Sequence, residues 1–435
     1  MVKVITYGTY DLLHYGHVRL LERAKALGDY LIVGVTADDF DKVRGKINVQ
    51  QSLMERVEAV RATGIADEII IEEYEGQKID DIKRYDIDIF TVGSDWMGKF
   101  DYLNEYCKVV YLERTQGVSS SELRSEKRQV SLGLVGESPV IKKYENECNY
   151  VNGIRVAGVC SVNDELLKDV NGIATNNYDE LMDAVDAVYI ISQPQKHYSQ
   201  IKKALLAGKH VLCESPIALS DEEYKELFEI SKVNNCVLMD AVKTAYSTAY
   251  ARLLLLIKSG RIGQVYSVDA TCTSLSDMNA NSWNSICAWG PTAMLPIFNI
   301  LGTEYKSKAI TSHLDANGND EFSKISFTYD HAVASAKVGK GVKSEGELIV
   351  SGTEGYIYVP APWWKTDYFE IRYENTADNK RYFYQLDGEG IRYELVAFTK
   401  AIETGKSISY IEQNISAEFC KIVEDFNKKI DFVEI

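Results

Sequence analysis

Short apolar runs alternate with helix-patterned stretches over the first 240 residues, and this alternation limits the folds that the chain can adopt. The runs KVIT (3–6) and YLIVGV (30–35) flank a stretch, 17–27, whose apolar residues recur at steps of three or four. An apolar run without polar alternation is typical of a strand that is buried on both faces of a parallel sheet. The pattern therefore predicts an α/β fold, in which helices cover a parallel sheet.

The pattern repeats and then changes along the chain, which indicates several domains. Further strand-like runs are EIIIEE, IDIFTVG, KVVYLE, SLGLVG, IRVAGVCSV, AVDAVYIIS and GKHVLCE, with later helices near 198–207 and 220–233. From about residue 264 longer strand-like runs predict a largely antiparallel sheet, and a last helix is predicted at 390–405. At 435 residues the chain exceeds the usual size of one core. We predict a Rossmann-like domain at 1–128, a second Rossmann-like domain at 129–245 and an α+β domain with an antiparallel sheet at 246–435.

Charge and composition exclude several classes of partner. The formal net charge is −16, and a field of this sign repels nucleic acid and anionic lipid, so a phosphate site must be a local basic pocket. The sequence shows no signal-peptide pattern and no run of 18 or more apolar residues. The eight cysteines are scattered without metal-ligand spacing. We therefore expect a cytoplasmic protein with reduced thiols, no nucleic-acid partner, no membrane insertion and no metal site built from cysteine.

The sharpest chemical signal follows the first predicted strand, where Gly8-Thr9-Tyr10-Asp11 leads to His14-Tyr15-Gly16-His17. Gly16 allows the backbone to approach a phosphate group closely. A helix that begins near His17 points its free N–H groups at the same anion. Two imidazoles and a helix N-terminus at the end of a strand form a site for the charge that develops on a transferring phosphoryl group. The alternative for a lone HxxH pair, two surface or capping histidines, is disfavoured by this context.

A second basic segment follows the strand KVVYLE. Arg114 carries a permanent charge with a fork shaped for phosphate, and Thr115, Ser119 and Ser120 supply hydroxyl groups. Ser119 and Glu122 have the spacing of a capping box that opens another helix. Because Gly8, Gly93 and Arg114 each lie just past a predicted strand, we expect both segments at the carboxyl edge of one sheet, where α/β proteins bind ligands.

With these motifs in this order, residues 1–125 resemble the glycerol-3-phosphate cytidylyltransferases and the wider group of HxGH nucleotidyltransferases. The resemblance lies in GTYDLLHYGH, VGSDWMGKFDYL and RTQGVSSSELR. It implies a catalytic set and a nucleotide-binding set. The catalytic set is His14, His17, Lys46 and Arg114. The nucleotide-binding set is Gly8, Thr9, Tyr10, Asp11, Gly16, Gly93, Asp95, Thr115, Ser119 and Ser120.

The same resemblance implies contacts with the acceptor from Asp38, Arg56 and Trp96. Asp11 and Asp38 are also candidates to hold a metal, with a structural capping role as the alternative. We predict no metal site from the protein alone and expect Mg²⁺ to enter with CTP. An acceptor phosphate oxygen would attack the α-phosphorus in line and release pyrophosphate. One departure bears on the acceptor, because Gly64 stands where the family usually carries a further arginine; Arg61 lies one turn earlier.

The remaining chain, about 131–425, resembles the glucose–fructose oxidoreductase and inositol dehydrogenase family. The resemblance lies in the stretch from DAVDAVYIIS to CESPIALS and in LLIKSGRIGQVYSV. It implies an NAD(P) site near Gly136, Ser138 and Glu214, but Ser138 and Ile141 replace two of the three glycines of a dinucleotide fingerprint. The E-K-P lysine is Ser215 here. Ala288 and Thr292 occupy the places of two further catalytic groups, leaving His197 and Lys243 as possible substitutes.

These observations leave three hypotheses. The first is a cytidylyltransferase that activates a small phosphorylated polyol, with an accessory and degenerate oxidoreductase-like region. The second is a bifunctional enzyme whose NAD(P)-dependent part makes the polyol phosphate. The third is a non-catalytic scaffold, which the intact phosphate motifs disfavour. The family resemblances imply a homodimer and a product that serves a teichoic acid or capsule pathway, while the identity of the acceptor stays open.

Overall fold

The computed structural model describes residues 1–37, 49, 51–74, 76–113, 129–275, 284–384, 386–405 and 411–435. The chain divides into two compact units, Met1–Arg128 and Gln129–Ile435, which we call the first and the second unit. Each has its own sheets and cores. The predicted α/β fold class is confirmed in both.

The first unit is built on five parallel strands in the order β3-β2-β1-β4-β5. Its described elements are β1 Lys3–Gly8, α1 Tyr15–Lys25, β2 Tyr30–Thr36, α2 Leu53–Ala62, β3 Glu68–Glu72, α3 Gln77–Tyr85, β4 Ile89–Gly93 and β5 Lys108–Leu112. Separate hydrophobic clusters contain Val4 and Leu31 in one case and Ile5 and Phe90 in the other. Alternate residues of a strand point to opposite faces, so both faces of this sheet are covered, as the continuous apolar runs predict.

The second unit begins with a six-stranded parallel sheet in the order β11-β10-β9-β6-β7-β8. Its elements are β6 Val130–Val135, α4 Ile141–Cys148, β7 Ile154–Cys160, β8 Ile173–Thr175, α5 Tyr178–Ala184, β9 Ala187–Ile190, α6 Pro194–Leu206, β10 His210–Glu214, α7 Asp221–Val233 and β11 Leu238–Ala241. The strand order reverses direction between β6 and β9, which is where parallel α/β sheets open a crevice for ligands.

A ten-stranded mixed sheet follows, in which most neighbouring strands are antiparallel. Its elements and those packed on it are α8 Thr248–Lys258, β12 Val265–Leu275, α9 Ser285–Leu301, β13 Ser307–Leu314, β14 Asp320–Thr328, β15 Val333–Gly339, β16 Gly341–Val342, β17 Leu348–Gly352, β18 Tyr356–Val359, β19 Tyr368–Arg372, β20 Lys380–Phe383, α10 Ile391–Thr404, α11 Gln413–Asn427 and β21 Phe432–Glu434. The run ELIVSGTEGYIYV is a hairpin of β17 and β18 and not one long strand.

The two last helices return to the core of the second unit. Leu395 and Phe398 of α10 pack with Leu132 and Tyr189 of the parallel sheet, while Phe419 and Ile422 of α11 pack in the core of the mixed sheet. The prediction that the helix at 390–405 is the last one was therefore wrong. Within the described ranges, no helix is both long and apolar enough to cross a membrane.

Candidate active site

The turn between β1 and α1 brings the two predicted histidines together. His14 is the N-cap of α1, and its Nδ1 accepts a hydrogen bond from the Gly16 N–H at 3.0 Å. His17 lies in the first turn, and its Nδ1 accepts from the His14 N–H at 3.4 Å. The two rings stack with their centroids 4.0 Å apart. The pattern His-x-x-His therefore places both imidazoles at the carboxyl end of β1.

These backbone contacts determine which ring nitrogen can donate. A neutral imidazole has one donor and one acceptor nitrogen, and in both rings Nδ1 acts as the acceptor. The proton of each neutral ring is therefore on Nε2. Two Nε2–H donors on stacked rings, next to the start of α1, suit the oxygens of a phosphate group.

The Tyr10 ring packs against His17 of the histidine pair. Its side chain is buried, and its ring meets the His17 ring edge to face at a centroid distance of 5.6 Å. Burial raises the pKa of its hydroxyl group. The predicted nucleotide-binding role of Tyr10 is thus restricted to its backbone in this conformation, because its side chain packs in the core.

Asp11 joins the same turn to the residues that precede α2. Its Oδ1 accepts from the Gln51 N–H at 2.9 Å, and the Leu12 N–H donates to Gln51 Oε1 at 2.7 Å. The Asp11 side chain is buried. These two bonds join the Asp11 turn to the chain before α2, and the predicted contacts of Asp11 with nucleotide or metal stay predictions.

Arg56 was predicted to contact the acceptor, but the structure places it in the interior of the first unit. Its side chain has no exposed surface, and its Nη1 donates to the carbonyl oxygens of Thr9 at 2.6 Å and Thr36 at 2.8 Å. Its Nε donates to the carbonyl of Gln51 at 3.2 Å. A direct contact with the acceptor would require Arg56 to leave these carbonyls. In this structure it holds together the ends of β1 and β2 and the start of α2.

A small cavity opens at the carboxyl ends of β1, β2 and β4. It is lined by Tyr7, Gly8, Thr9, Thr36, Lys78, Val92, Trp96 and Phe100. Three of these residues, Gly8, Thr9 and Trp96, are among the predicted site residues. The cavity therefore lies at the edge of the sheet where the motifs converge.

Lys78 is a functional candidate that the sequence analysis missed. Its ammonium pairs with the fully buried carboxylate of Glu72, whose other oxygen accepts from Thr36 Oγ1 at 2.8 Å. Its Nζ also lies 4.7 Å from the ring centroid of Tyr7 and 5.5 Å from that of Phe100. Lys78 is the second residue of α3, where a positive charge opposes the helix dipole. The sequence carries no signal for this role, because the burial of Lys78 and its pairing with Glu72 arise only in the folded chain.

The predicted residues after β4 border the same region. Trp96 is half-buried, with its ring 5.8 Å from that of Phe100, and Asp95 is exposed. No described atom lies within 4 Å of a Cβ built on Gly93. Gly93 pairs with Leu112, the last residue of β5. The predicted residues Asp38, Lys46, Arg114, Thr115, Ser119 and Ser120 lie outside the described residues.

In the second unit, Gly136 lies where the chain turns from β6 toward α4. Its φ is 153°, and a Cβ there would meet the Ile191 carbonyl oxygen at 2.6 Å. Ser138 Oγ accepts only a long bond, 3.4 Å, from the Val140 N–H. Glycine at 136 is therefore required by close packing of β6 on the end of β9, whether or not a cofactor binds.

Glu214, the residue before Ser215, belongs to a buried network. Its Oε1 accepts from the Tyr144 hydroxyl at 2.7 Å and lies 3.3 Å from the Tyr189 hydroxyl. Tyr189 also donates to Glu394 Oε1 at 2.8 Å. Burial and the nearby charge of Glu214 raise the pKa of Glu394 to about 8. The sequence analysis did not predict this network, because Glu394 lies in α10, far along the chain from Glu214.

The His197 side chain contacts two backbone carbonyl groups in the interior of the second unit. Its ring nitrogens lie 2.8 Å from the carbonyl oxygens of Pro216 and Ser192, its side chain is fully buried, and burial lowers its pKa. The ring therefore links the chain after β10 to the chain after β9. Lys243, the other possible substitute, lies with its Nζ 5.8 Å from the ring centroid of Tyr144.

Comparison with known proteins agrees with this geometry. A family model described as cytidylyltransferase-like matches residues 5–202. The glycerol-3-phosphate cytidylyltransferase of Bacillus spizizenii is 50% identical over 126 residues, which are 29% of this chain and 97% of that protein. The enzyme of the same name from Staphylococcus aureus is 45% identical over 130 residues, 29% of this chain and 95% of that protein.

Solved structures resemble the rest of the chain. The 3-ketoreductase KijD10 from Actinomadura kijaniata, in complex with NADP and TDP-benzene, superposes with a TM-score of 0.64 at 16% identity, covering 71% of this chain and 99% of its own. The UDP-N-acetylglucosamine 3-dehydrogenase GnnA from Acidithiobacillus ferrooxidans gives a TM-score of 0.60 at 15% identity, covering 70% and 99%. At these identities the similarity establishes the fold alone.

A parallel α/β sheet with an HxGH turn after its first strand, together with these relatives, defines an enzyme of the nucleotidyltransferase class. The chain belongs to the family of the glycerol-3-phosphate cytidylyltransferases through its N-terminal part. The remainder has the fold of the NAD(P)-dependent oxidoreductases of the glucose–fructose oxidoreductase type.

Proposed function

We propose that the first unit transfers CMP from CTP to a small phosphorylated polyol and releases pyrophosphate. The observation that carries this proposal is the stacked pair His14 and His17 at the end of β1, with each Nδ1 held by a backbone N–H. Relatives named for this reaction, of which the chain covers nearly the full length, support it.

The reaction needs no covalent intermediate. CTP enters as its Mg²⁺ complex, an acceptor phosphate oxygen attacks the α-phosphorus in line, and the bond to pyrophosphate breaks. His14 and His17 donate from Nε2 to the oxygens on which negative charge increases, and Lys46 and Arg114 add two positive charges. A single donor of this kind typically contributes about 3–4 kcal/mol to the transition state.

The cavity at the carboxyl ends of β1, β2 and β4 supplies the acceptor site in this proposal. Lys78 would contact the acceptor phosphate, while Glu72, whose other oxygen accepts from the Thr36 hydroxyl, holds its ammonium in place. Trp96 and Phe100 form the apolar side of the cavity. A small acceptor fits between a cation and two rings better than a large one does.

The identity of the acceptor stays open, because Gly64 stands where the family usually carries a further arginine. This residue has a φ of 66°, at the end of α2, and no described atom lies within 4 Å of a Cβ built there. The Arg61 guanidinium pairs with Glu58, both being about 60% exposed. We therefore propose the wider class of polyol phosphates, and keep a teichoic acid or capsule pathway as the expected destination.

A panel assay tests this proposal. The full chain is incubated with CTP and one of glycerol 3-phosphate, glycerol 2-phosphate, a pentitol phosphate or an amino-alcohol phosphate, and pyrophosphate release is measured, with ATP and UTP as nucleotide controls. Release that depends on both CTP and one phosphorylated alcohol supports the proposal. Release from CTP that is equal with and without every acceptor contradicts it.

We propose that the second unit is an accessory domain and not a second active enzyme. Ser215 replaces the catalytic lysine and is itself buried, and Ala288 and Thr292 offer neither a carboxylate nor an imidazole. The bifunctional alternative draws support from the oxidoreductase fold. Saturable quenching of NADH or NADPH fluorescence by the full chain would favour it, and a flat titration would favour the accessory role.

A further inference from the structure

The turn at 387–390 in the second unit has an unusual backbone. Three successive residues are left-handed, with φ values of 56° at Gly388, 54° at Glu389 and 91° at Gly390. Glycine adopts this conformation readily, but a residue with a Cβ does so at a steric cost. A glutamate in the middle of such a turn therefore needs contacts that hold it there.

Two lysines provide those contacts. Lys143 Nζ lies 2.6 Å from Glu389 Oε2, and Lys365 Nζ lies 2.9 Å from the same oxygen. Lys143 is in α4, beside the parallel sheet, while Lys365 follows β18 of the mixed sheet. Hydrogen bonds from both ammonium groups lower the pKa of Glu389 to about 2. Two elements of different sheets thus converge on one carboxylate oxygen.

The three charged side chains are open to solvent. Both lysines and Glu389 keep about two fifths of their side-chain surface exposed, so an ion from solvent can reach them. Trp364, next to Lys365, packs against Trp289 with 5.0 Å between ring centroids. Cations beside an aromatic pair suit an anion that carries a small organic group.

We propose that Lys143 and Lys365 form an anion-binding site that takes a phosphate monoester, and that Glu389 occupies this site when no ligand is bound. The carboxylate acts as an internal competitor, because it offers the same two lysines an oxygen anion. A phosphate group offers three oxygens and up to two charges, and so satisfies both ammonium groups more fully. On binding, Glu389 is released and the turn before α10 becomes free to leave its left-handed conformation.

Site-resolved lysine modification tests this proposal independently of the transferase assignment. The full chain is acetylated in increasing inorganic phosphate or glycerol 2-phosphate, and the rate at each lysine is measured by peptide mass spectrometry. We expect phosphate to slow modification of Lys143 and Lys365, while the exposed Lys380 stays unprotected. Because the readout belongs to these lysines, binding at the first unit does not affect it.

Two variants of Glu389 test whether its carboxylate competes with phosphate for Lys143 and Lys365. Glu389→Gln removes the charge, and Glu389→Gly also suits the left-handed backbone, so at least one variant keeps the fold. Both should lower the phosphate concentration for half-protection at least threefold, whereas Glu374→Gln, an exposed glutamate elsewhere in the second unit, should leave it unchanged. Equal half-protection concentrations in the wild type and both Glu389 variants, or no protection of either lysine at any phosphate concentration, would overturn the proposal.

Discussion

The rings of His14 and His17 stack 4.0 Å apart because a helix begins between them. His14 caps α1 through its Nδ1, and His17, three residues later, faces back toward the cap. A capping box usually joins serine or threonine to glutamate. Here two histidines make the equivalent bonds, so the same local contacts that start the helix also orient both Nε2 atoms. The spacing of the motif therefore starts the helix and, in the proposed function, also orients the two catalytic donors.

Lys78 should govern binding of the acceptor more than binding of CTP. Lys78→Met removes the only cationic side chain among the described residues that line the cavity. We expect the KM for the acceptor to rise about 10- to 100-fold, as for a lost charged hydrogen bond of roughly 1.5–3 kcal/mol, with a small change in the KM for CTP. Steady-state kinetics with each substrate varied in turn provide the measurement.

The matched control for that variant is Lys83→Met, in the same helix. Lys83 lies over the Tyr106 ring at 4.8 Å and does not line the cavity. It should leave both KM values within about twofold, in keeping with surface substitutions generally. If Lys83→Met raised the acceptor KM as much as Lys78→Met does, the general charge of α3 and not the cavity lysine would be responsible.

We expect the Arg56 side chain to stabilise β1 and β2 and not to contact the acceptor. Arg56→Met leaves the carbonyls of Thr9 and Thr36 without this donor in a buried site, and we expect a loss of about 3 kcal/mol in the local stability of β1 and β2. Hydrogen exchange of peptides from these strands measures the effect. Arg61→Met, at an exposed position of the same helix, should change exchange by less than about 0.5 kcal/mol. Normal exchange in Arg56→Met with a raised acceptor KM would restore the direct contact predicted from the sequence.

The buried network of the second unit should make its stability depend on pH. The folded pKa of Glu394, about 8, lies above its ordinary value of 4.5, so the folded state binds more protons between these values. The contribution of Glu394 is therefore fully present below pH 4.5 and is lost as the pH rises through about 8. Asp240 and Asp320, each with a pKa raised by burial to about 6, add to the same trend at lower pH.

Scanning calorimetry of the full chain at pH 6.5 and pH 9 tests this dependence. The wild type should lose stability in its second-unit transition over this interval, and Glu394→Gln, which cannot ionise, should lose clearly less. Glu374→Gln serves as the exposed control and should follow the wild type. An identical loss in wild type and Glu394→Gln would show that Glu394 is already ionised at neutral pH.

Local patterns in the sequence predicted most of the fold. The helix predicted at 220–233 is α7, Asp221–Val233. The apolar run YLIVGV covers β2 except for Thr36, and GKHVLCE contains β10. The helix α11 was readable too, since Ile415, Phe419, Ile422 and Phe426 recur at helical steps. The buried helix α9 was not predicted, because it contains Pro291 and Pro296 and proline normally ends a helix.

The site was predictable only where one short segment makes it. His14, Gly16 and His17 lie within four residues, so their spacing alone brings them together. Lys78 pairs with Glu72 across the β3–α3 connection, and Glu394 meets Tyr189 after more than 200 intervening residues. Arg56 looked like a ligand contact, since a sequence does not show that an arginine is fully buried. Burial and long-range pairing come from the tertiary fold, which local patterns do not encode.

The most direct test of the account is the turnover of His17→Ala, measured as pyrophosphate release from CTP with the best acceptor of the panel. Loss of a donor to the transferring phosphoryl group should lower kcat by about 10²- to 10³-fold, while the far-ultraviolet circular dichroism and the melting transition stay close to those of the wild type. Pyrophosphate release near the wild-type rate in this variant would contradict the assignment of the histidine pair to catalysis.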